Sequence, residues 1–128
     1  LLAGSYKEHK GFMSKYLPLD YYDIHLEAEG SISINTEAEM SVTVFTLTGD
    51  AVVGKDYISE KTAVKLSEGD NVIIKSAGSP CQILWISSKR LNEPVAWGGP
   101  IVMNTREELA KAFEDLDNGT FLKSKISY

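Results

Sequence analysis

Short runs of alternating apolar and polar residues, separated by turns, dominate residues 21–86 and constrain the fold most strongly. Tyr22, Ile24 and Leu26 alternate with charged or polar residues, which is the two-residue period of a strand with one buried face. Further short apolar runs lie at 32–34, 42–47, 51–53, 63–66, 72–74 and 82–86, with turn sequences such as Thr48-Gly49-Asp50 between them. This spacing predicts an all-β sandwich or barrel.

One α-helix is predicted after the last strand. Thr105 occupies an N-cap position and Glu108 follows three residues later, which is the spacing of a capping box. Gly119 ends the helix, because glycine readily takes the left-handed conformation of a C-terminal cap. The apolar stripe expected to be buried comprises Leu109, Ala112, Phe113 and Leu116, and the positions expected to face water are Lys111, Glu114, Asp115 and Asp117.

The chain before this helix is rich in residues that disfavour regular structure. Pro94, Gly98, Gly99 and Pro100 predict an irregular loop. Trp97 lies within it and is expected to bury its ring, either in the core or as a staple for the loop, in preference to the alternative that it lines a pocket.

Residues 91–121 resemble the C-terminal signature of the pirin family. The matching runs are Leu91 to Val95 (L-N-E-P-V), Gly99 to Thr105 (G-P-I-V-M-N-T), Glu108-Leu109 and Asn118 to Phe121. Two positions depart from the family pattern, because Ile101 replaces an aromatic residue and Leu116 replaces a tyrosine, although both remain apolar. The signature residues singled out are Glu93, Pro94, Gly99, Pro100, Met103, Asn104, Thr105, Glu108 and Gly119.

Pirins are similar to cupins, and the resemblance implies a cupin-type double-stranded β-helix, or jelly-roll, barrel with one C-terminal helix. The first cupin motif reads G-x5-H-x-H-x3-E-x6-G, in which the two His and the Glu hold a metal. Gly30 and Gly49 fit this frame. The three ligand positions then hold Thr36, Ala38 and Val42, and Cys81 falls near the position of a fourth ligand. We therefore expect no metal site, and a dry interior packed partly by Ala38 and Val42.

The resemblance also implies a function for a longer parent protein. In the family, an N-terminal cupin domain holds iron or another divalent metal on three His and a Glu, and the C-terminal domain completes the structure. This chain is then a metal-free structural or interaction module of a bicupin. Its expected partner is an N-terminal cupin domain of the same parent, or a second copy of itself.

Two alternatives remain open. Some bacterial pirins have quercetin 2,3-dioxygenase activity, so the chain can be part of such an enzyme whose metal site lies upstream; whether it belongs to an enzyme stays undecided. A stand-alone module that binds a small apolar ligand requires an empty cavity in the barrel. The expected organisation is an N-terminal segment at 1–18 that packs on the barrel, a barrel at 19–90, and the signature loop and helix at 91–128, all in one domain.

Composition argues against several kinds of partner, although a local basic patch stays open. The net charge of −5 and the pI near 5.0 argue against nucleic acid as a direct partner, and the sequence has neither an apolar run long enough for a membrane span nor a secretory signal pattern. A single cysteine makes no internal disulfide, which favours the cytoplasm. The chain opens at Leu1 rather than at methionine, which points to a processed or trimmed start or to a fragment.

Several residues that could carry chemistry are expected to have only structural or solvent-facing roles. His25 is out of phase with the apolar residues of its strand and is expected to face solvent. Cys81 is expected to be a small buried hydrophobe. Trp85 is expected to fill the core or staple a loop, in preference to the alternative that it lines a pocket. The basic stretch that contains Lys7, His9, Lys10 and Lys15 and the carboxylate pairs Glu37/Glu39 and Glu107/Glu108 are expected to be solvated.

Overall fold

The structure is a computed structural model that describes residues 1–124. It forms two compact units, a barrel unit (Leu1–Arg90) and a signature unit that begins at Leu91. Each unit is described by itself. No helix in the described part of the chain is long and apolar enough to cross a membrane. The predicted cytoplasmic location and the predicted domain boundaries stay predictions.

The barrel unit consists of antiparallel strands in two four-stranded sheets and one two-stranded sheet. The first four-stranded sheet has the order β3-β10-β5-β8, the second has the order β4-β9-β6-β7, and β1 pairs with β2. The strands are β1 (Ser5–Tyr6), β2 (His9–Lys10), β3 (Leu19–Leu26), β4 (Ser31–Asn35), β5 (Met40–Thr48), β6 (Ala51–Val53), β7 (Asp56–Ile58), β8 (Ala63–Lys65), β9 (Asn71–Ser76) and β10 (Cys81–Lys89).

The alternation read from the sequence matches the burial of the strands. Tyr22 and Ile24 of β3 are buried, and so are Val42, Val44 and Thr46 of β5. These strands therefore direct every second side chain into one core. The predicted all-β jelly-roll barrel with one C-terminal helix is confirmed.

The N-terminal segment contacts the barrel through both backbone and side chains. Ala3 is buried and bridges Phe12 and Tyr21. The Tyr22 hydroxyl of β3 donates to the Ser5 carbonyl oxygen at 2.7 Å. The small β1–β2 hairpin was not predicted, because each of its strands has only two residues.

The signature unit contains a β-hairpin where the sequence predicted an irregular loop. Its strands are β11 (Ala96–Gly98) and β12 (Ile101–Met103), which pair antiparallel around Gly99-Pro100. That prediction was wrong because Gly99, at φ +55°, lies at the first turn position, where a two-residue hairpin turn of type II′ requires positive φ. A glycine before proline between two apolar triplets was the signal for a hairpin.

The helix α1 (Arg106–Asp117) begins and ends as predicted. The Thr105 side chain accepts from the Glu108 amide, and the Glu108 carboxylate accepts from the Thr105 amide, so the capping box is complete. Gly119 has φ +68°. Thr105 and Gly119 therefore set the two helix ends.

The predicted division of α1 into a buried stripe and a solvated face is only partly correct. Ala112 is buried, but Phe113 and Leu116 are 39% and 44% exposed. The short hairpin covers only part of the apolar stripe. Asp115 was expected to face water, yet its side chain is only 15% exposed because it bonds to Lys111 and Lys123.

Candidate functional site

Two of the four positions that correspond to metal ligands lie near the connection between β4 and β5. Thr36 is half-buried and its amide donates to the Asp70 carbonyl oxygen at 2.9 Å. Ala38 lies in the exposed turn that follows. The expectation that Ala38 packs inside the barrel was wrong, because β5 begins only at Met40.

The other two positions, Val42 and Cys81, are both buried but lie far apart. Val42 pairs with Ser87, six residues beyond Cys81 along β10. At about 3.3 Å per residue this separation is roughly 20 Å. Ligands of one metal ion lie within about 2–2.5 Å of it. These four side chains therefore do not form a ligand set for a metal ion of the cupin type. Thr36 offers only a hydroxyl, Ala38 and Val42 offer hydrocarbon, and the Cys81 thiol is too far away.

Cys81 is held in a close-packed apolar setting. A Cβ atom on Gly49 would lie 3.0 Å from the Cys81 Cβ and 2.5 Å from the Pro80 carbonyl oxygen, so only glycine fits beside it. Burial raises the pKa of the Cys81 thiol. A raised pKa disfavours the thiolate, which is the form that binds metals and attacks electrophiles. Cys81 has the character of the small buried hydrophobe predicted from the sequence.

The two histidines lie on exposed strand positions. The His25 Nε2 atom is 3.1 Å from Asp23 Oδ1, and the His25 side chain is 69% exposed, as the alternation of β3 predicts. His9 is exposed in β2. Within residues 1–124, no three His, Cys, Asp or Glu side chains are grouped in a way that would hold a metal ion.

The barrel interior is filled by the protein's own side chains. The largest fully buried ones are Trp85, Ile74, Ile83, Val44, Thr46 and Ser87. The Trp85 ring stacks on Tyr22 with ring centroids 6.4 Å apart and an interplanar angle of 8°. Its Nε1–H donates to Ser87 Oγ at 3.1 Å, and Ser87 Oγ donates to Asp20 Oδ2 at 3.3 Å. These contacts do not favour a small apolar ligand inside the barrel.

A polar cleft of about 500 Å³ lies beside Thr36. It is lined by the carboxylates of Asp20, Glu37 and Glu39 and by Lys89. The Lys89 ammonium pairs with Glu39 at 3.5 Å, and both side chains are 58% exposed. This is a hydrated surface arrangement, which agrees with the solvated interpretation of Glu37 and Glu39.

The residues of the pirin-like signature converge on the start of α1. Asn104 Nδ2 donates to Glu93 Oε2 at 2.9 Å and to the Pro94 carbonyl oxygen at 3.0 Å. The Asn104 amide donates to Glu108 Oε2 at 3.1 Å, beside the capping box. The signature therefore fixes the loop before β11 to the N-terminus of the helix, which is a structural role for residues that are distant in sequence.

A groove of about 540 Å³ on the signature unit corresponds to the less favoured alternative for Trp97, that of a pocket-lining residue. Val95 and Trp97 line it, together with Leu109 and Phe113 of α1. Trp97 is 75% exposed, which overturns the expectation that its ring is buried. The signal was the period of two in β11, which directs Ala96 inward and Trp97 outward.

The two-sheet barrel with its filled interior defines a cupin-like domain, and within residues 1–124 the structure groups no set of side chains that would hold a metal ion. Residues 21–122 match the family described as the Pirin C-terminal cupin domain. This chain belongs to that family, as its signature residues predict.

Individual relatives agree with this assignment. A protein of Pseudomonas aeruginosa named "Putative quercetin 2,3-dioxygenase" is 31% identical over 97% of this chain and 43% of its own length. Human Pirin is 33% identical over 79% of this chain and 37% of its own length. A crystal structure of quercetin 2,3-dioxygenase from Acinetobacter baumannii superposes with a TM-score of 0.85 at 30% identity, covering 93% of this chain and 42% of that one. This chain spans less than half the length of these relatives.

Proposed function

We propose that this chain is the metal-free C-terminal barrel of a pirin-like bicupin and that it acts as a structural module for an upstream metal-binding cupin domain. The content of the four ligand positions carries the proposal. Thr36, Ala38, Val42 and Cys81 supply neither imidazole nor carboxylate, and Cys81 lies six residues along β10 from Ser87, the residue that pairs with Val42 of β5. The shorter length of this chain relative to its relatives supports an upstream partner domain.

A quercetin 2,3-dioxygenase is the alternative function for the whole parent. The names of the Pseudomonas and Acinetobacter relatives favour it. In that case a divalent metal in the upstream domain, iron or another, would supply the chemistry toward the flavonol and O₂. This chain would contribute no ligand to that metal, and its buried residues would only hold the domain in shape.

The test uses the full-length parent protein as its gene encodes it, with the variants Thr36→Ala and Cys81→Ser in this domain. We expect each variant to keep the metal content of the wild type, since neither residue binds it. Loss of metal from either variant, with circular dichroism unchanged, would contradict the proposal. Parent protein that carries no metal at all would contradict it as well.

The same preparations separate the two functions of the parent. O₂-dependent loss of the quercetin absorbance, at equal rates in the wild type and both variants, would support the dioxygenase. A metal-loaded parent that leaves quercetin unchanged would rule out that alternative and leave the structural role of this domain in place.

A further inference from the structure

The barrel unit carries a groove with an apolar floor at the rim of its filled interior. The groove has a volume of about 690 Å³ and lies beside the β6–β7 turn, β8 and the start of β9. Its floor consists of Val53, Val64, Leu66 and Val72. Val53 is 5% exposed, and the other three side chains are half-buried. A concave apolar site of this size is typical of pockets that bind small molecules.

The floor of the groove continues the inner faces of both four-stranded sheets. Val64 pairs directly with Val44 of β5, and Val53 pairs directly with Ile74 of β9. Both partners are 0% exposed. Directly paired residues lie on the same side of a sheet, so Val53 and Val64 present apolar surface toward the core. An apolar body in the groove would therefore extend the core and leave water.

Backbone hydrogen bonds fix the walls of the groove. The Leu66 amide donates to the Val42 carbonyl oxygen at 2.9 Å, which ties the segment after β8 to β5. The Gly54 amide donates to the Ile73 carbonyl oxygen at 2.8 Å, which ties the β6–β7 turn to β9. The groove is therefore preformed, and a ligand would not have to order it.

Three lysines line the groove and are exposed at its rim. Lys55 lies in the β6–β7 turn, Lys65 ends β8, and Lys75 lies in β9. Within residues 1–124, no carboxylate lies within 4.0 Å of any of these three ammonium groups. The three charges are therefore available to an anion from outside the chain.

Two carboxylates also line the groove but do not cancel this charge. Glu68 is paired with the Arg90 guanidinium at 2.6 Å, so its charge is already matched. Asp56 offsets one of the three lysines. An excess of positive charge therefore remains at this groove, in a chain whose net charge is −5.

We propose that this groove binds a small amphipathic anion. Its apolar body lies on the valine and leucine floor, and its carboxylate or phosphate head lies at the three lysines. An ammonium group attracts either head as a point charge, and the lysine stems add apolar contact. The ligand lies outside the filled barrel interior. The proposal does not depend on the metal-free role proposed above, so its failure would leave that role in place.

The experiment follows the amide NMR shifts of the ¹⁵N-labelled 128-residue chain during titration with octanoate and with octyl phosphate. Octanol supplies the apolar body without the charge, and acetate supplies the charge without the body. We expect saturable shifts centred on the groove, with an affinity at least about tenfold higher for an amphipathic anion than for octanol or acetate. The tighter of the two anions identifies the head group.

Two triple variants test the role of the lysines. One removes the three charges of the groove, and the matched control removes three exposed charges of the N-terminal segment. They are Lys55→Gln/Lys65→Gln/Lys75→Gln and Lys7→Gln/Lys10→Gln/Lys15→Gln. We expect the groove variant to weaken binding at least about tenfold and the control to weaken it less than about twofold. Circular dichroism and melting temperature establish that both variants fold.

Four results would overturn the proposal. The first is the absence of saturable shifts in the wild type, and the second is shifts centred outside the groove. The third is equal weakening by the two triple variants, which would assign binding to net charge alone. The fourth is an affinity for octanol equal to that for the anions, which would remove the lysines from the site.

Discussion

The barrel unit and the signature unit use their tryptophans in opposite ways. Trp85 is 1% exposed and stacks on Tyr22, whereas Trp97 is 75% exposed, although both indoles have a hydrogen-bond acceptor within the protein. In the barrel, the positions that we propose to correspond to metal ligands carry no imidazole or carboxylate, and the core is filled by side chains. In the signature unit, polar residues fix a hairpin to a helix and leave an apolar face outside. The difference separates residues that stabilise the fold from those available for binding.

The largest expected change in stability comes from removing the buried ring of Trp85. Trp85→Ala removes a fully buried indole and leaves a cavity in the core, so we expect a loss of about 3–5 kcal/mol of unfolding free energy. Trp97→Ala is the matched control and should change stability by less than about 0.5 kcal/mol, because its ring is exposed. Urea unfolding of this chain measures both. Equal losses would abolish the contrast between the two tryptophans.

The second expected effect concerns the helix N-terminus of the signature unit. Thr105→Ala removes the acceptor for the Glu108 amide and should cost about 1 kcal/mol. Thr105→Ser keeps that oxygen and should retain most of the stability. Thermal melting followed at a helix-sensitive wavelength tests this pair. If the alanine and serine variants melt together, the capping box contributes no measurable stability.

The third effect is a pH dependence within the barrel. Burial, together with the charge of Asp20, raises the pKa of Tyr22 to about 12. The unfolded chain loses this proton near pH 10 while the folded chain keeps it, so the contribution of Tyr22 to stability is full below pH 10 and is lost as the pH rises toward 12. Tyr22→Phe should therefore show a flatter stability profile between pH 10 and 12. Tyr16→Phe, at an exposed ring, should keep the wild-type slope.

The smallest effect lies at the surface of α1. Lys123 and Lys111 lower the pKa of Asp115. A lowered folded-state pKa stabilises the fold above the ordinary carboxyl pKa near 4, and this contribution disappears as the pH falls through the lowered value. Asp115→Asn should therefore slightly reduce the loss of stability that the protein shows as the pH falls. Unfolding midpoints at pH 2–5 measure this change, with Asp117→Asn as the control variant. Identical pH profiles for the wild type and Asp115→Asn would contradict the stabilising role of these ion pairs.

Local rules were sufficient where neighbours in sequence decide the structure. The alternation of Tyr22, Ile24 and Leu26 predicted a strand with an inward face, and Thr105 with Glu108 predicted the helix start. They failed where distant contacts decide. Asp115 is half-buried because Lys123 folds back beside it, and no periodicity contains that contact.

The sequence assigned four residues to the ligand positions of a cupin frame, and this assignment stays a prediction. It did not place Ala38 in a turn or separate Val42 from Cys81, because both depend on where β5 begins and how it pairs with β10. The exposure of Trp97 was missed because Gly99 and Pro100 were taken for loop residues when they form a hairpin turn.

The most direct test of a metal-free barrel is the metal content of this 128-residue chain. The chain is incubated with Fe(II), Ni(II) or Cu(II), desalted and measured by elemental analysis, with His9→Gln/His25→Gln as a parallel preparation. Our account predicts far less than one metal ion per chain in both. One retained ion per wild-type chain, absent from the double variant, would contradict it and show that His9 or His25 contributes to a metal site.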